Sequence, residues 1–468
     1  MIFTELRFLG FFLAVFALHW AIPSRRGRHA FLLVASYVFY SAWDVRFLSL
    51  IMLSTAVDYT AGRLLGQIVS IGRRKAVVAF SLTVNLGLLG VFKYFNFFAD
   101  SFASLLHALG IAASHTTLHV ILPVGISFYT FQSISYTVDV YRRKLTPERD
   151  LLTFATFVAF FPQLVAGPIV RAIDFLPQMA VPRQLASVAW RPMLVLFLTG
   201  FVKKAVLSDN LAPYVDAFFA HPTDFDGWSH WLTTMLYATQ IYCDFSGYTD
   251  MAFACAGLLG YHLCQNFNYP YLATSPRDFW RRWHISLSTW LRDYLYFSLG
   301  GSRVPPARVL VNLMLTMLIG GLWHGAAWTY VIWGALHGIA LVGDHIWRNL
   351  TEPHTDEPSS GRKIVGWLFT MLLVLVAWVF FRAPDYATAM TVLHGMIASE
   401  GATSLPGILW FYIFGLFAVH FLASHGIVNP TPLQRMTWPR FAFAYGMLVG
   451  MSLLLVNTSY RPFIYFQF

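Results

Sequence analysis

Charged side chains are scarce in this chain of 468 residues, and their scarcity excludes a whole class of proteins. Asp, Glu, Lys and Arg together make up 12% of the sequence, whereas a soluble globular domain carries about 25%. Hydrophobic residues account for 57%, and the mean hydropathy is +0.57. Because even a large soluble domain buries only about three quarters of its chain's surface, this composition excludes a soluble fold and predicts an integral membrane protein.

Cysteine is almost missing as well, with only Cys243, Cys255 and Cys264 and no C-x-x-C spacing. We interpret the three as small apolar packing residues without a disulfide or redox role. The sequence lacks an H-E-x-x-H element or a Cys/His cluster for zinc, and it lacks G-x-S-x-G, Walker and dinucleotide-binding signatures. His324 and His337 have the spacing of haem ligands, but a sandwiched haem needs a second such pair. We therefore predict no bound metal or cofactor.

The net charge of +10 comes mainly from basic clusters in short segments between apolar runs, at 25–28, 73–75, 142–144 and 281–282. Clusters in such positions orient membrane proteins and contact anionic lipid. We therefore expect membrane lipid as a partner and no nucleic acid. No cleavable signal peptide is evident, because the first apolar stretch precedes its basic residues rather than following them.

Apolar segments long enough for a membrane-spanning helix, about 17–25 residues, recur along the chain. Polar and apolar residues do not alternate as they would in barrel strands, so helices are predicted. We expect an all-α polytopic membrane protein with about eleven crossings, plus re-entrant and in-plane helices. Two candidate spans lie at 229–243 and 251–263. We divide the chain into N-terminal helices at 1–118, a core at 119–350, and C-terminal helices at 364–468 that follow a polar loop.

Two stretches depart from a simple spanning helix. At 161–171, FPQLVAGPIVR interrupts an apolar run with proline and glycine, which predicts non-helical backbone that either lines a cavity or ends a helix. At 275–301, aromatic residues and leucines recur every three or four positions, which predicts one basic amphipathic helix in the membrane interface. Ser275 has the features of its N-cap and Pro276 those of its first residue.

Polar side chains within apolar segments are unfavourable in a membrane and usually face a cavity or one another. In this chain they concentrate between 240 and 337, and we predict that they line an internal site. The residues in question are Gln240, Asp244, Ser246, Tyr248, Asp250, Asn268 and His337. A transporter or channel without enzymatic chemistry is an alternative, in which Asp244 and Asp250 would couple cations or protons.

Histidines fall at 262, 284, 324 and 337 within this region. His324 lies in GGLWHGAAW, between glycines that weaken a helix and allow close approach of backbone or substrate. In one continuous helix His324 and His337 would point about 140° apart, so they need not share a role. An imidazole ionises near pH 6.5, so at neutral pH it can take the proton of a hydroxyl that attacks an acyl group. We predict this role for His324, with acylation of the ring itself as an alternative.

Three runs of residues carry a resemblance to a known family. YCDFSGYTDMAFACAGLLGY, NFNYPYLATSPRDFWRRWHISLSTWLRDYLYFSLGG and GGLWHGAAWTYVIWGALHG resemble the membrane-bound O-acyltransferase (MBOAT) family, and within it the bacterial alginate O-acetylation branch. FPQLVAGPIVR and the terminal YRPFIYFQF resemble the same branch. The resemblance implies helices around a central tunnel that joins the two membrane faces, with the catalytic core at 119–350. It also implies acyl transfer from a cytoplasmic thioester to a hydroxyl acceptor.

The resemblance assigns roles to individual residues. The family's principal catalytic histidine falls on His324, and its second, more variable position falls on His284. His324 would activate the acceptor hydroxyl, and His284 would orient or polarise the donor. Trp280 and Trp323 would belong to the tunnel lining.

Substrates, partners and location follow from the same resemblance. We expect acetyl-CoA as the donor substrate and a multi-pass position in the bacterial inner membrane. Arg281 and Arg282 would attract the phosphates of the donor, with lipid-facing charges as an equal alternative. The chain has no sizeable extramembrane domain, so the acetyl group would pass to a separate periplasmic SGNH-type acetyltransferase that modifies a polysaccharide. D-alanyl transfer from an acyl carrier protein is the alternative.

Overall fold

The structure of the protein, a computed structural model, describes residues 1–111, 117–118, 121–165, 167–351, 359–457 and 463–464. Within these ranges the regular structure is helical, with no β-strand and one isolated bridge between Phe225 and Thr403. The predicted all-α fold is confirmed. The predicted polar loop at 351–363 lies largely outside the described residues, as does most of the C-terminal motif at 460–468.

The described residues form two compact units, and the first comprises Met1–Trp190 and Ala252–Cys264. Its helices are α1 (Leu6–Ala21), α2 (Arg25–Ser41), α3 (Leu48–Gln67), α4 (Ile71–Leu89), α5 (Phe95–Ala108), α6 (Ile126–Tyr141), α7 (Leu151–Ala159), α8 (Phe161–Leu164) and α9 (Ala172–Ala180). Helices α3, α4 and α6 pack against one another around a buried carboxylate. Asp58 on α3 accepts hydrogen bonds from Ser81 (2.5 Å) and Asn85 (2.8 Å) on α4 and from Thr137 (2.8 Å) on α6. These bonds satisfy a polar side chain whose burial apolar surroundings would otherwise disfavour.

The stretch at 161–171 contains one short helix, α8, followed by backbone without regular structure before α9. Residues 161–165 and 167–170 are buried, while Ala166 lies outside the described residues. The prediction that proline and glycine interrupt the apolar run here is confirmed.

The second unit comprises Arg191–Met251 and Gln265–Phe468. The remaining helices are α10 (Trp190–Phe201), α11 (Asp209–Ala220), α12 (Gly227–Leu258), α13 (Pro276–Arg282), α14 (Ile285–Trp290), α15 (Pro306–His324), α16 (Trp328–Thr351), α17 (Ser360–Arg382), α18 (Tyr386–Gly395), α19 (Trp410–Ser424), α20 (Thr431–Arg435) and α21 (Trp438–Leu454). The prediction of separate spans at 229–243 and 251–263 is wrong, because one helix of 32 residues, α12, continues from the first into the second and ends at Leu258. The polar residues at its middle have buried partners, so the helix does not need to break there to reach water.

Four helical segments among the described residues are long and apolar enough to cross a membrane: Ile71–Ala108, Pro306–His324, Ser360–Arg382 and Gly407–Ser424. A fifth apolar helix, Leu6–Ala21, is shorter. These segments agree with a multi-pass membrane protein. The count of about eleven crossings and the three-part division along the chain stay predictions.

Helices α15 and α16 approach so closely that their backbones touch. A Cβ atom added to Gly334 would collide with the carbonyl oxygen of Met317, and one added to Gly321 would collide with that of Tyr330. Small residues at such a crossing allow the close packing typical of membrane helices. This contact fixes the end of α15, where His324 is the last residue.

Candidate active site

His324 is held at a break between two helices. α15 ends at His324, Gly325 is extended (φ −157°, ψ 151°), and α16 begins at Trp328. The ring of Tyr330 occupies the space that a Cβ at position 325 would need, so only glycine fits this turn. Because the chain turns immediately after His324, the angle of about 140° between His324 and His337, which assumes one continuous helix, does not apply.

The ring of His324 is buried among aromatic side chains. Its centroid lies 5.0 Å from that of Trp323, 5.0 Å from that of Trp333 and 5.2 Å from that of Phe381. These rings come from α15, α16 and α17, so three helices fix the imidazole. A base enclosed in this way works in a low-dielectric environment, where its interactions with a reacting group are stronger than in water.

His284 lies at a second break. The predicted continuous amphipathic helix at 275–301 is wrong: α13 ends at Arg282, α14 begins at Ile285, and a π-helical segment follows at Leu291–Tyr296. His284 itself has φ 45° and ψ 54°, in the left-handed region that residues other than glycine seldom adopt. The predicted start is confirmed, because the hydroxyl of Ser275 accepts a hydrogen bond from the backbone N–H of Asp278 at 3.1 Å.

Asn266 explains why the helix breaks at this point. The backbone N–H of Ile285 donates to the carbonyl of Asn266 (2.9 Å), and the N–H of Ser286 donates to its side-chain Oδ1 (3.2 Å). In a continuous helix, these two backbone N–H groups would donate to carbonyl oxygens in the preceding turn. Here they donate to Asn266 instead. The hydroxyl of Ser286 also donates to the same Oδ1 at 2.9 Å.

The same oxygen determines the tautomer of His284. A backbone N–H can only donate, so the bond from Ser286 identifies the Asn266 atom facing it as the amide oxygen. His284 Nδ1 lies 3.1 Å from this oxygen and must therefore carry a proton. A neutral His284 then has its lone pair on Nε2.

The two helix breaks bring both predicted catalytic histidines together. The ring centroids of His284 and His324 are 6.3 Å apart, and Trp323 lies 6.0 Å from His284. Phe245 on α12 packs edge-on against His284 at 4.6 Å. His284, His324 and Trp323 therefore lie in one buried group.

His337 and Trp280 extend this group along α16 and α13. The ring of His337 lies 4.7 Å from Trp333 and 5.1 Å from Trp280, so both His324 and His337 contact Trp333. Among the described residues, Trp280 Nε1, Trp333 Nε1 and His337 Nε2 have no hydrogen-bond partner although they are buried. These three groups are exceptions to the rule that buried polar atoms are paired.

The carboxylates predicted on α12 are paired with two lysines that the sequence analysis did not consider. Lys203 Nζ lies 2.7 Å from Asp250 and 2.9 Å from the hydroxyl of Ser246. Lys204 Nζ lies 2.5 Å from Asp244 and 2.7 Å from Asp209. Both lysines belong to the π-helical segment Val202–Ser208. Asp250 is thus paired with Lys203, whereas Asp244 and Asp209 share Lys204.

Asp244 also forms a hydrogen bond with the described C-terminal residues 463–464. Its Oδ2 accepts a hydrogen bond from the backbone N–H of Ile464 at 2.8 Å. The adjacent Phe463 packs against Tyr248 (4.9 Å) and Phe245 (5.8 Å). Tyr248 therefore contacts the C-terminal segment, and Phe245 connects that segment to His284.

The remaining predicted residues lie around this group. Gln240 is buried, and among the described residues its Oε1 has no hydrogen-bond partner. Asn268 is exposed, and its backbone N–H donates to the carbonyl of Arg282 at 2.9 Å. Arg281 is exposed, whereas Arg282 Nε donates to Asp278 at 2.8 Å. No group of three or more His, Cys, Asp or Glu side chains within the described ranges is arranged to hold a metal ion.

A family model described as "MBOAT, membrane-bound O-acyltransferase family" matches residues 147–383. This match covers half of the sequence and includes both histidine-bearing helix breaks. The chain belongs to the membrane-bound O-acyltransferase family. The predicted enzyme class is thereby confirmed, and the alternative of a transporter without enzymatic chemistry is not retained.

Several known proteins are similar to this chain over long stretches. It is 39% identical to the "Probable alginate O-acetylase AlgI" of Pseudomonas putida, with all of both chains covered. It is 38% identical to the "Peptidoglycan O-acetyltransferase" of Helicobacter pylori across 86% of this chain and 79% of that protein. It is 28% identical to the "Teichoic acid D-alanyltransferase" of Streptococcus thermophilus across 55% of this chain and 68% of that protein.

Within this MBOAT protein, Asn266 is the residue beside His284 that the sequence analysis left without a role. Its position in NFNYPY, shortly before the predicted N-cap Ser275, was the available signal. Lys203 and Lys204 were visible as two adjacent cations within an apolar run, which predicts buried partners. Neither signal identifies the partner, because the partners are distant in sequence.

Proposed function

We propose that this enzyme transfers an acetyl group from cytoplasmic acetyl-CoA toward an extracytoplasmic polysaccharide, with His324 as the base, in the inner membrane of a bacterium. The observation that carries this proposal is the buried pair of His284 and His324, whose ring centroids are 6.3 Å apart. The O-acetylase and O-acetyltransferase names of the AlgI and Helicobacter pylori relatives support the acetyl group and the polysaccharide acceptor.

In the proposed reaction, the hydroxyl oxygen of the acceptor attacks the carbonyl carbon of the thioester. The imidazole of His324 takes the hydroxyl proton as the new carbon–oxygen bond forms. The carbon–sulfur bond then breaks, and the proton passes from the imidazolium to the departing sulfur. The products are an acetyl ester and a free thiol, and His324 returns to its neutral form.

The hydrogen bond from His284 to Asn266 narrows the role we propose for His284. In its neutral form His284 donates through Nδ1 to Asn266 Oδ1, which leaves Nε2 as an acceptor. An acceptor cannot polarise a carbonyl oxygen, but it can orient a hydroxyl or an amide N–H. Of the two functions expected from the resemblance, we therefore favour orientation of a reactant by His284.

We propose that the acetyl group is handed on to a second protein. A relay through a periplasmic SGNH-type acetyltransferase fits a chain whose described regular structure is helical and whose residues are 57% hydrophobic. D-alanyl transfer from a carrier protein is the second candidate, because the teichoic acid D-alanyltransferase relative is 28% identical to this chain.

The decisive experiment measures thiol release and acetyl transfer by the purified protein in lipid vesicles. We expect His324→Ala to abolish both, while the variant keeps the elution profile and thermal stability of the wild type. His262→Ala is the matched control, since His262 is exposed and lies outside the buried pair. Full acetyl transfer by His324→Ala would overturn the assignment of the base. Turnover of a D-alanyl carrier protein, with none of acetyl-CoA, would select the second candidate.

A further inference from the structure

Four helices of the first unit meet where the apolar helix α1 ends. In the last turn of α1, Trp20 donates through Nε1 to the carbonyl of Leu258 (3.1 Å), the last residue of α12. Arg25, the first residue of α2, donates through Nη1 to the carbonyl of Ala180 (2.5 Å), the last residue of α9. These bonds connect the ends of α1 and α9 to the end of α12 and the start of α2.

Two more arginines lie at this junction. Arg28 donates through Nε to the carbonyl of Ile22 (2.7 Å) and through Nη1 to the carbonyl of Arg183 (2.7 Å). The guanidinium carbon of Arg28 lies 5.0 Å from the ring centroid of Trp20, and that of Arg183 lies 5.3 Å from the ring centroid of Tyr261. Burial raises the pKa of Tyr261, whereas the positive charges of Arg183 and Arg28 both lower it. Both guanidinium groups are therefore close to the same phenol.

Arg25, Arg28 and Arg183, which we call the arginine cluster, have no carboxylate to balance their charge. Among the described residues, all of their hydrogen bonds go to backbone carbonyls, and none of the three forms an ion pair. Elsewhere in the same unit, Arg46 is paired with Asp44 at 2.6 Å. A carbonyl oxygen orients a guanidinium group but does not cancel its charge. Three positive charges therefore lie together, and an added anion would bind them through charge-assisted hydrogen bonds.

The surroundings of the arginine cluster indicate which kind of anion it would bind. Trp20 and Tyr261 lie beside the guanidinium groups, and such aromatic residues are typical of the headgroup level of a membrane. On α1, Leu13 and Leu18 are 58% and 53% exposed and form an apolar surface that begins next to the cluster. A phospholipid has a phosphate group and also acyl chains that would cover this surface, whereas a free phosphate ion has no such chains.

We propose that the arginine cluster binds the phosphate group of an anionic phospholipid in the cytoplasmic leaflet, with an acyl chain along the exposed leucines of α1. Basic segments of membrane proteins face the cytoplasm, where the leaflet is anionic. The N–H groups of guanidinium match the geometry of phosphate oxygens. The bound headgroup would link helix ends that already meet at this junction, and it would stabilise the first unit. This inference does not depend on the reaction proposed above.

The test follows the melting temperature of the purified full-length protein in a neutral detergent, with increasing amounts of phosphatidylglycerol or of phosphatidylcholine. We expect phosphatidylglycerol to raise the melting temperature more than phosphatidylcholine does. Arg28→Gln and Arg183→Gln should each raise the amount of phosphatidylglycerol needed for half of this effect about tenfold, as the loss of one charge-assisted hydrogen bond predicts. Each variant is compared with itself in phosphatidylcholine, so a general loss of stability cancels.

Two further variants separate a specific site from general attraction and from backbone support. Arg26→Gln is the matched control, because Arg26 is exposed in the same segment and its charge acts on Asp150. It should respond to phosphatidylglycerol as the wild type does. Arg28→Lys keeps the positive charge but cannot reproduce both carbonyl bonds of Arg28, and it should largely keep the response. A loss in Arg28→Lys as complete as that in Arg28→Gln would show that Arg28 only supports the backbone.

Three other results would overturn the inference. The first is equal stabilisation of the wild type by the two lipids. The second is an equal effect of Arg26→Gln and Arg28→Gln, which would indicate attraction between positive charge and an anionic surface without a specific site. The third is a rise in melting temperature with inorganic phosphate in phosphatidylcholine that equals the rise with phosphatidylglycerol, which would assign the arginine cluster to a soluble phosphate.

Discussion

The imidazole rings of His284 and His324 lie 6.3 Å apart, and each is located where a helix is interrupted. His324 ends α15 before an extended glycine, and His284 lies in a left-handed turn between α13 and α14. A side chain in the middle of a helix is surrounded by the turns before and after it. At these two breaks the neighbouring backbone turns away, which allows both rings to face the same interior region.

Asn266 is predicted to position His284 rather than to touch the reactants. Asn266→Asp keeps an oxygen that accepts the Nδ1 proton, whereas Asn266→Leu removes the acceptor at similar size. We expect kcat to fall by about tenfold to a hundredfold in the Leu variant and to be largely retained in the Asp variant. The measurement is steady-state acetyl transfer in vesicles. Equal loss in both variants would indicate a purely structural role for Asn266.

The contact between α15 and α16 is predicted to depend on Gly334. In Gly334→Ala the new Cβ would collide with the carbonyl oxygen of Met317, so the helices must separate. We expect a loss of about 1–3 kcal/mol in stability and reduced acetyl transfer, since His324 is attached to the displaced helix end. Gly343→Ala on the same helix is the control, because nothing lies within 4 Å of its new Cβ. Thermal unfolding in one detergent compares the two, and equal melting temperatures would contradict the prediction.

Lys204 is predicted to be essential for stability through its ion pairs with Asp244 and Asp209. The side chains of Lys204 and Asp244 are almost fully buried, at 2% and 3% exposure. Removing one partner of a buried ion pair leaves an uncompensated charge and is expected to cost about 3–5 kcal/mol. Lys204→Met should therefore unfold at a much lower temperature than the wild type, whereas Lys75→Met, at an exposed site, should not. The double variant Lys204→Met with Asp244→Asn should be more stable than Lys204→Met alone, and a further additive loss would contradict the pairing.

The all-helical class, the interruption at 161–171, the cap at Ser275 and the importance of the segment around His324 could be predicted from local sequence. Hydropathy, proline and glycine, and capping residues act over a few neighbouring positions, so a single sequence contains their effects. The continuity of α12 could not be predicted in the same way. In the sequence alone, its polar middle resembles a loop. The structure shows that Lys203 pairs with Asp250 and Lys204 with Asp244, so these carboxylates can lie within a buried helix.

The break at His284 was missed for a related reason. Hydrophobic periodicity continues through 275–301 as if the segment were one helix. The competing interaction comes from Asn266, which accepts the backbone bonds of Ile285 and Ser286 from outside the segment. A periodic pattern indicates which face of a helix is apolar. It does not indicate that a residue distant in sequence accepts the hydrogen bonds of the helix backbone.

The left-handed backbone of His284 affects how mutagenesis at this position should be interpreted. Its φ of 45° is tolerated by Asn, Asp and His much better than by other non-glycine residues. Alanine or valine at 284 would thus both remove the imidazole and strain the backbone. An inactive variant of this kind would not show whether the lost ring or the strained backbone caused the loss of activity. Asparagine keeps the preferred backbone while removing the imidazole, so His284→Asn separates loss of the side chain's chemistry from loss of local geometry.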